Sequence, residues 1–252
     1  MSTRVVAVAN QKGGVGKTTT AVNLAACLAR AGERCLLIDL DPQANASSGL
    51  GVRANGHSTL DLLDGVALRD LAVTTGLEGL EVVPARAELA ATSVQLSALE
   101  GGERYLADAL GPEALAGYGF AFLDCPPAFG PLTVNALAAA DCVLVPVQAE
   151  YYALEGLSQL LGSIDLVKRR LNARLGVVGI LLTMVDGRTR LAEEVERELR
   201  SHFGELVFRQ TIPRSVRLAE APSHGLPAIA YDPRSPGSQA YWKVAMELVE
   251  RA

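Results

Sequence analysis

A glycine-rich segment near the start of the chain contains two lysines in a pattern suited to binding phosphate. Residues 10–20 read Asn-Gln-Lys-Gly-Gly-Val-Gly-Lys-Thr-Thr-Thr and lie between a strand-like run and a run with helical spacing. Glycines let backbone N–H groups approach phosphate oxygens, and the helix N-terminus adds a favourable dipole. Lys17 is placed to neutralise the β- and γ-phosphates, and Thr18 to ligate Mg²⁺. The candidate phosphate loop comprises Lys12, Gly13, Gly14, Val15, Gly16, Lys17, Thr18 and Thr19.

This loop departs from the usual GxxxxGK[ST] pattern at its first position. That pattern requires glycine at position 11, where this chain has Gln11, and a second lysine, Lys12, opens the loop instead. A phosphoryl-transfer transition state needs positive charge beyond that of Lys17. Lys12 is therefore a candidate for supplying that charge.

Carboxylates end two further apolar runs. Asp39 and Asp41 follow residues 36–38 and precede a proline, and Asp124 ends the hydrophobic run 120–123. A carboxylate at the end of a buried strand can hold Mg²⁺ through a water molecule, which is the role predicted for Asp124. Two alternatives remain open: Asp41 is a local cap of an Asp-Pro turn, or Asp124 ends its strand without binding metal.

The elements that position these residues alternate between strands and helices. Apolar, β-branched runs without polar alternation occur at 5–9, 35–38, 80–83, 120–123, 142–147 and 177–183, and most are separated by segments with helical spacing. Such strands are covered on both faces, so we predict an α/β fold, with a mostly parallel twisted sheet and helices on both faces. Active sites in these folds lie at the carboxyl ends of the strands, where the motifs occur.

Length and composition favour one globular domain. The chain has 252 residues, 49% of them hydrophobic and 20% charged, and we see no linker, so we assign 1–252 to a single domain. The first strand-like run begins at Arg4, so we expect no N-terminal helix-turn-helix domain and no signal sequence. No apolar stretch approaches the length of a membrane helix, and we expect a soluble, cytoplasmic protein.

Positive charge is concentrated late in an acidic chain. The formal net charge is −5, yet residues 165–217 contain 11 Lys and Arg against 7 Asp and Glu. We expect acid-to-base pairs at i, i+4 for Asp165–Arg169, Glu193–Arg197 and Glu196–Arg200. The cations without such a partner are candidates for a phosphate-binding surface: Lys168, Arg170, Arg174, Arg188, Arg190, Arg214 and Arg217.

The KGGVGKT segment resembles the loop of the deviant Walker A ATPases, and nearly the whole chain is similar to the ParA/Soj partition proteins. The resemblance implies that Lys12 reaches across a nucleotide-sandwich dimer to the partner's phosphates and that Gly13 lies where two backbones meet. It also implies that Asp41 orients the attacking water and that Asp39 supports the metal site. Ala44 stands where many relatives have glycine.

Two later segments extend the resemblance. Residues 183–190 imply a nucleotide-base contact at Met184 and a DNA contact at Arg188. Residues 213–225 imply an adenine contact at Pro213 and a second DNA contact at Arg217. The alternative for both arginines is that they are exposed and contribute only to solubility.

The resemblance implies an ATP- and Mg²⁺-dependent DNA-partition ATPase. Its ATP-bound homodimer would bind double-stranded DNA nonspecifically at the nucleoid, and a ParB-type centromere-binding protein would stimulate hydrolysis and release. The alternative is a membrane-surface switch resembling MinD. That alternative requires a basic amphipathic tail, whereas residues 238–252 contain Lys243 and Arg251 against Glu247 and Glu250. We therefore expect no membrane partner.

Overall fold

A central sheet organises the molecule. Within residues 3–150 and 153–251, which the computed structural model describes, seven strands form this sheet. In chain order they are β1 (Arg4–Val8), β2 (Cys35–Asp39), β3 (Val73–Thr74), β4 (Leu80–Val83), β5 (Phe120–Asp124), β6 (Cys142–Gln148) and β7 (Gly176–Thr183). Their spatial order is β3-β4-β2-β5-β1-β6-β7, and the neighbouring pairs are parallel except β3 with β4.

Helices pack on both faces of this sheet. They are α1 (Lys17–Arg30), α2 (Asn45–Gly49), α3 (Thr59–Leu63), α4 (Leu68–Leu71), α5 (Leu89–Leu96), α6 (Tyr105–Ala109), α7 (Pro131–Ala139), α8 (Ala153–Arg170), α9 (Arg190–Phe203), α10 (Val216–Glu220), α11 (Ala228–Tyr231) and α12 (Pro236–Arg251), with 3₁₀ turns at Gly204–Leu206 and Ala221–His224. The C-terminal helix extends to Arg251, and residue 252 lies outside the described part of the chain. Among the described helices, none has the length and apolar character required to cross a membrane.

Each central strand is buried on both faces. Val5 and Ala7 of β1 belong to one apolar cluster, whereas Val6 and Val8 belong to the cluster on the opposite side of the sheet. This arrangement explains why the strand runs lack polar alternation. The predicted α/β class is confirmed, and each of the six predicted strand runs coincides with a strand.

Residues outside those runs include elements that the apolar pattern did not predict. The edge strand β3 has two exposed residues and pairs antiparallel to β4. Short helices of four or five residues, such as α2, α4 and α6, are too brief to show helical periodicity.

Two glycines bring distant segments together beyond α2. Gly51 and Gly225 have φ values of 71° and 67°, and a Cβ atom at Gly225 would lie 2.9 Å from the Cα atom of Gly51. These are backbone conformations and distances that glycine tolerates and larger residues do not. The chain leaving α2 therefore packs directly on the turn that follows α10.

A buried threonine anchors the glycine-rich loop to the sheet. The Thr183 hydroxyl, at the end of β7, donates to the Val15 carbonyl oxygen at 2.8 Å and lies 3.2 Å from the Val147 carbonyl oxygen. Thr183 is 1% exposed, so water does not replace these contacts. The loop is therefore fixed to the carboxyl ends of β6 and β7 as well as to β1.

We predict that Thr183→Val lowers the free energy of unfolding by about 1–3 kcal/mol, because the Val15 carbonyl group loses a buried hydrogen-bond donor. Denaturant unfolding measures this change. Thr74→Val, at an exposed edge position, is the matched control and should change stability by less than about 0.5 kcal/mol. Equal changes in the two variants would show that the Thr183 hydroxyl does not anchor the loop.

Candidate functional site

The glycine-rich loop and two carboxylates meet at one edge of the sheet. Asp39 ends β2 and Asp124 ends β5, and the two residues lie opposite each other in the parallel pairing. Val8, at the end of β1, is paired with Asp124 on the other side, and the loop begins two residues later. The strand register thus brings the predicted loop and metal-site residues together.

The conformation of the loop requires glycine at two positions. Gly14 and Gly16 have φ values of 75° and 85°, and α1 begins immediately after Gly16. No acidic side chain occupies the first turn of α1, so its N-terminal N–H groups and dipole favour an anion. This geometry is suited to enclosing phosphate oxygens.

The buried lysine of the loop is directed toward the loop itself. Lys17 is 6% exposed, and its Nζ donates to the Lys12 carbonyl oxygen at 3.1 Å. Burial lowers the pKa of Lys17, while the negative charges of Asp124 and Asp41 act in the opposite direction. A polyphosphate bound in the loop would add the negative charge that favours protonated Lys17.

Asp124 has the environment expected of a metal-site carboxylate. It is fully buried, and neither carboxylate oxygen has a hydrogen-bond partner within the described residues. Burial and the charge of Asp39 raise the pKa of Asp124 well above its usual range. The nearby Thr18 and Lys17 side chains oppose this shift but do not cancel it. An unpartnered buried carboxylate beside a threonine hydroxyl fits Mg²⁺, which takes hard oxygen ligands and phosphate. The geometry therefore favours the metal role of Asp124 over that of a turn residue.

Asp39 holds the chain that follows β2. Its Oδ2 accepts from the Ser47 N–H and hydroxyl at 2.9 and 2.6 Å, and its Oδ1 accepts from the Asp41 N–H at 3.1 Å. Burial raises the pKa of Asp39 to about 6 against the effect of these bonds. The Asp39 carboxylate thus holds the chain after β2 at Ser47 and at Asp41, and its support of the metal site stays a prediction.

Asp41 is 7% exposed and also has a local contact. Its Oδ1 accepts from the Gln43 N–H at 3.0 Å, which is the contact expected if Asp41 caps the Asp-Pro turn. Ala44 follows with φ 54°, a left-handed conformation that costs a residue with a Cβ atom about 1–2 kcal/mol. Glycine would adopt this conformation without that cost.

A cavity beside the loop gathers the predicted nucleoside contacts. It has a volume of about 370 Å³. Its walls include Gly16 and Thr19 of the loop and α1 together with Met184 and Pro213, which lie much later in the chain. Met184 has φ 53°, one of the two positive values among non-glycine residues in the described chain. An apolar cavity next to a phosphate loop is suited to a nucleobase.

Tyr241, which the sequence analysis did not identify, also lines this cavity. It lies on α12, is 1% exposed, and its hydroxyl is 3.0 Å from the Thr20 hydroxyl of α1. Helical spacing alone indicates only a buried aromatic residue at this position. The last helix of the chain thus contributes to a site whose loop begins at residue 10.

Lys12 lies outside the cavity, at the surface. Its side chain is 53% exposed and forms an ion pair with Glu150, which follows β6. Glu150 was not predicted from the sequence, because 138 residues separate it from Lys12. Lys12 is thus less restrained than the buried Lys17, since an exposed ion pair contributes little stability.

Within the described chain the two predicted DNA-contact arginines have no ion-pair partner at i, i+4, as expected, but each forms an ion pair at another spacing. Arg188 forms a bidentate pair with Asp186, and Arg217 pairs with Glu220 and Asp232. These partners are at spacings other than i, i+4. Both side chains remain accessible, at 88% and 53% exposure.

The predicted i, i+4 ion pairs have two outcomes. Asp165–Arg169 and Glu196–Arg200 form. Glu193–Arg197 is not an ion pair within residues 3–150 and 153–251.

We predict that Asp124→Asn changes the pH dependence of stability without nucleotide. Because the pKa of Asp124 is raised in the folded state, the wild-type free energy of unfolding should fall as pH rises above about 4. The variant should show a smaller fall. Mg²⁺ should also increase the ATP affinity of the variant by a factor about tenfold or more smaller than in the wild type.

Urea unfolding from pH 5 to 8, and ATP titration with and without Mg²⁺, measure these changes. Asp64→Asn, at an exposed position outside the site, is the control and should behave as wild type in both assays. Parallel pH profiles for Asp124→Asn and wild type would contradict the buried, unpartnered state of this carboxylate.

Comparisons with known proteins agree with this geometry. Residues 3–177 match the family described as AAA domain. The chromosome-partitioning ATPase Soj of Thermus thermophilus is 54% identical over 248 residues, covering 98% of this chain and 96% of that protein. The chromosome partitioning protein ParA of Caulobacter vibrioides is 50% identical over 252 residues, covering 98% and 94%.

One similar solved structure contains bound ligands. Cobyrinic acid a,c-diamide synthase from Mycobacterium smegmatis, with bound ADP and magnesium, is similar to this chain with a TM-score of 0.84 and 36% identity. The similarity covers 98% of this chain and 94% of that chain. That protein is named for an activity other than partition, whereas the two relatives with about half of their residues identical are both partition proteins. The chain therefore belongs to the ParA/Soj family of partition ATPases.

Proposed function

We propose that this ATPase is a DNA-partition switch in which Mg·ATP closes a homodimer, the dimer binds DNA nonspecifically, and hydrolysis releases it. The observation that carries the proposal is the different placement of the two loop lysines. Lys17 is buried in its own site, whereas Lys12 is exposed and able to reach another molecule. A loop with one inward and one outward lysine is suited to two phosphate sites that face each other.

The nucleotide-binding part of the proposal depends on Lys17, Thr18 and Asp124. Lys17 balances phosphate charge, and Thr18 with Asp124 holds Mg²⁺. When bound, Mg²⁺ neutralises charge on the phosphates. Met184 and Pro213 form the base cavity. These residues converge from separate elements on one end of the sheet.

The dimerisation part of the proposal depends on the exposure of the phosphate loop. Residues 11–14 are exposed, and among the described residues a Cβ atom at Gly13 would have one heavy-atom contact, with the Pro127 Cβ atom at 3.8 Å. The loop backbone is thus open to a second backbone. A partner loop at this position would bring its own Lys12 near the phosphates, in the role that an arginine finger has elsewhere.

Hydrolysis is assigned to Asp41, positioned by Asp39. Asp41 lies on the loop that begins at the end of β2, and its backbone is fixed by the buried Asp39 carboxylate. We infer that its carboxylate orients the attacking water. Loss of this carboxylate would leave ATP binding and dimerisation in place while slowing hydrolysis.

The DNA-binding part of the proposal depends on a local surface, because the net charge of −5 repels DNA overall. Arg188 precedes α9 and Arg217 lies on α10, both in or at the edge of the basic stretch 165–217. A dimer presents each arginine twice, which doubles the phosphate contacts. We propose that this surface places the dimer at the nucleoid, and that a ParB-type partner stimulates hydrolysis.

The MinD-like alternative has less support. In α12, Arg251 forms a salt bridge with Glu247 and its guanidinium lies 4.3 Å from the centre of the Phe208 ring, so its charge is committed to the protein. A helix with so little free basic charge is unlike a membrane-surface anchor. ATP-dependent flotation with liposomes would reverse this preference.

We predict that Gly13→Val binds ATP but dimerises about tenfold or more weakly, because its side chain occupies space required by the opposing loop. The monomer should fold normally, since the nearest contact is at ordinary distance. Light scattering with Mg·ATP measures the dimer. Gly111→Val is the control, because a Cβ atom at Gly111 has no heavy atom of the described part of the chain within 4 Å. Wild-type dimerisation of Gly13→Val would remove Gly13 from the interface.

We predict that Arg188→Glu and Arg217→Glu each weaken DNA binding without sequence preference, while ATP binding and dimerisation persist. Removing one phosphate-binding cation should reduce the slope of log affinity against log salt by about 0.9, or about 1.8 for a symmetric dimer. A salt series with Asp41→Ala as the background avoids loss of the bound state through hydrolysis.

Arg69→Glu, an exposed charge reversal outside the basic stretch, is the control for a general effect of charge. If both test variants retain the affinity and salt slope of the background, DNA binding must be assigned to another surface or abandoned.

A further inference from the structure

The loop between β7 and α9 contains a carboxylate that binds one of the two proposed DNA-contact residues. Asp186 Oδ1 accepts from Arg188 Nε at 2.9 Å and from the Arg188 N–H at 3.1 Å. Asp186 Oδ2 accepts from an Arg188 terminal nitrogen at 2.8 Å. The two side chains therefore form the parallel, bidentate arrangement that arginine also forms with phosphate.

The backbone of Asp186 is fixed on both sides. The preceding Val185 donates to the Ile212 carbonyl oxygen at 2.9 Å and accepts from the Arg214 N–H at 3.1 Å. The Asp186 carbonyl oxygen accepts from the N–H and hydroxyl of Thr189, at 3.0 and 2.9 Å. The Asp186 carboxylate is thus held in place beside Arg188 rather than brought there by a flexible chain.

This carboxylate remains charged under the conditions in which DNA binds. The side-chain hydrogen bonds from Arg188 lower the pKa of Asp186 to about 2. Its side chain is 29% exposed, whereas that of Arg188 is 88% exposed. A DNA phosphate approaching Arg188 therefore meets donors already bound to an ionised oxygen acid of similar geometry.

We propose that Asp186 is an intramolecular competitor that attenuates DNA binding, so that Arg188 must exchange the Asp186 carboxylate for a DNA phosphate. The inference rests on the proposed DNA contact of Arg188. Asp186 acts through Arg188 and is a positioning residue. Its effect is to keep each single contact weak, so that firm binding requires the contacts of both subunits.

The test is Asp186→Asn, which removes the charge and keeps an oxygen at the Oδ1 position for the Arg188 N–H. In the Asp41→Ala background with Mg·ATP, anisotropy of a labelled random-sequence duplex should show binding about three- to tenfold tighter at a fixed salt concentration. The slope of log affinity against log salt should steepen by up to about 0.9 per subunit, because the charge of Arg188 is then no longer offset by a neighbouring carboxylate when it neutralises a DNA phosphate.

A double-mutant cycle separates the direct contact from general electrostatics. With Arg188→Gln as the background, Asp186→Asn should change affinity by less than about twofold, because the competed residue is absent. Glu193→Gln is the matched control. It makes the same charge change on the first turn of α9, and Glu193 forms no ion pair within the described chain. It should also have less than about a twofold effect.

The outcomes distinguish this inference from the proposed function. If Arg188→Gln leaves DNA affinity unchanged, the DNA contact of Arg188 is wrong. If Arg188→Gln weakens binding but Asp186→Asn leaves binding unchanged, attenuation is overturned while the contact stands. Weaker binding by Asp186→Asn would also overturn attenuation, because it would mean that Asp186 orients Arg188 toward DNA. An equal gain in DNA affinity from Asp186→Asn with and without Arg188 would overturn competition, because the effect of Asp186 would then be one of net charge alone.

Discussion

The structure depends on the burial of unbalanced charge where β2 and β5 end side by side. Asp39 and Asp124 are both fully buried there, and Lys17 is the nearby cation whose burial lowers its pKa. Asp39 is stabilised by Ser47 and the Asp41 backbone, whereas Asp124 lacks any such partner among the described residues. An arrangement of this kind is costly without a ligand and becomes favourable when phosphate and Mg²⁺ complete it. Both the loop and the chain after β2 are organised around it.

The sequence was sufficient to predict six of the seven described strands, the phosphate loop and the convergence of the carboxylates, but not the short, exposed edge strand β3. Buried parallel strands are continuous apolar runs, and their carboxyl ends meet at one edge. Met184 and Pro213 depended on a resemblance, and the structure places both on one cavity. Tyr241 and Glu150 were missed because each acts across more than 100 residues, where no local periodicity carries information.

The arginines show where spacing arguments fail. A search at i, i+4 detects partners on a regular helix, and it correctly found the Asp165–Arg169 pair. Arg188 lies in a turn, where a side chain returns to a residue two positions away. Arg217 finds Asp232 on a different segment. Predictions of free charge in loops therefore require the backbone conformation, which a residue count does not supply.

The contact between Gly51 and Gly225 has a mechanical consequence. One glycine follows the segment held by the buried Asp39, and the other ends the turn after the helix that carries Arg217. Since the two backbones touch without intervening side chains, the joint between them has no compressible layer. Displacement of residues 45–51 toward that turn must therefore move the turn as well. Direct backbone contact therefore couples the position of one segment to that of the other.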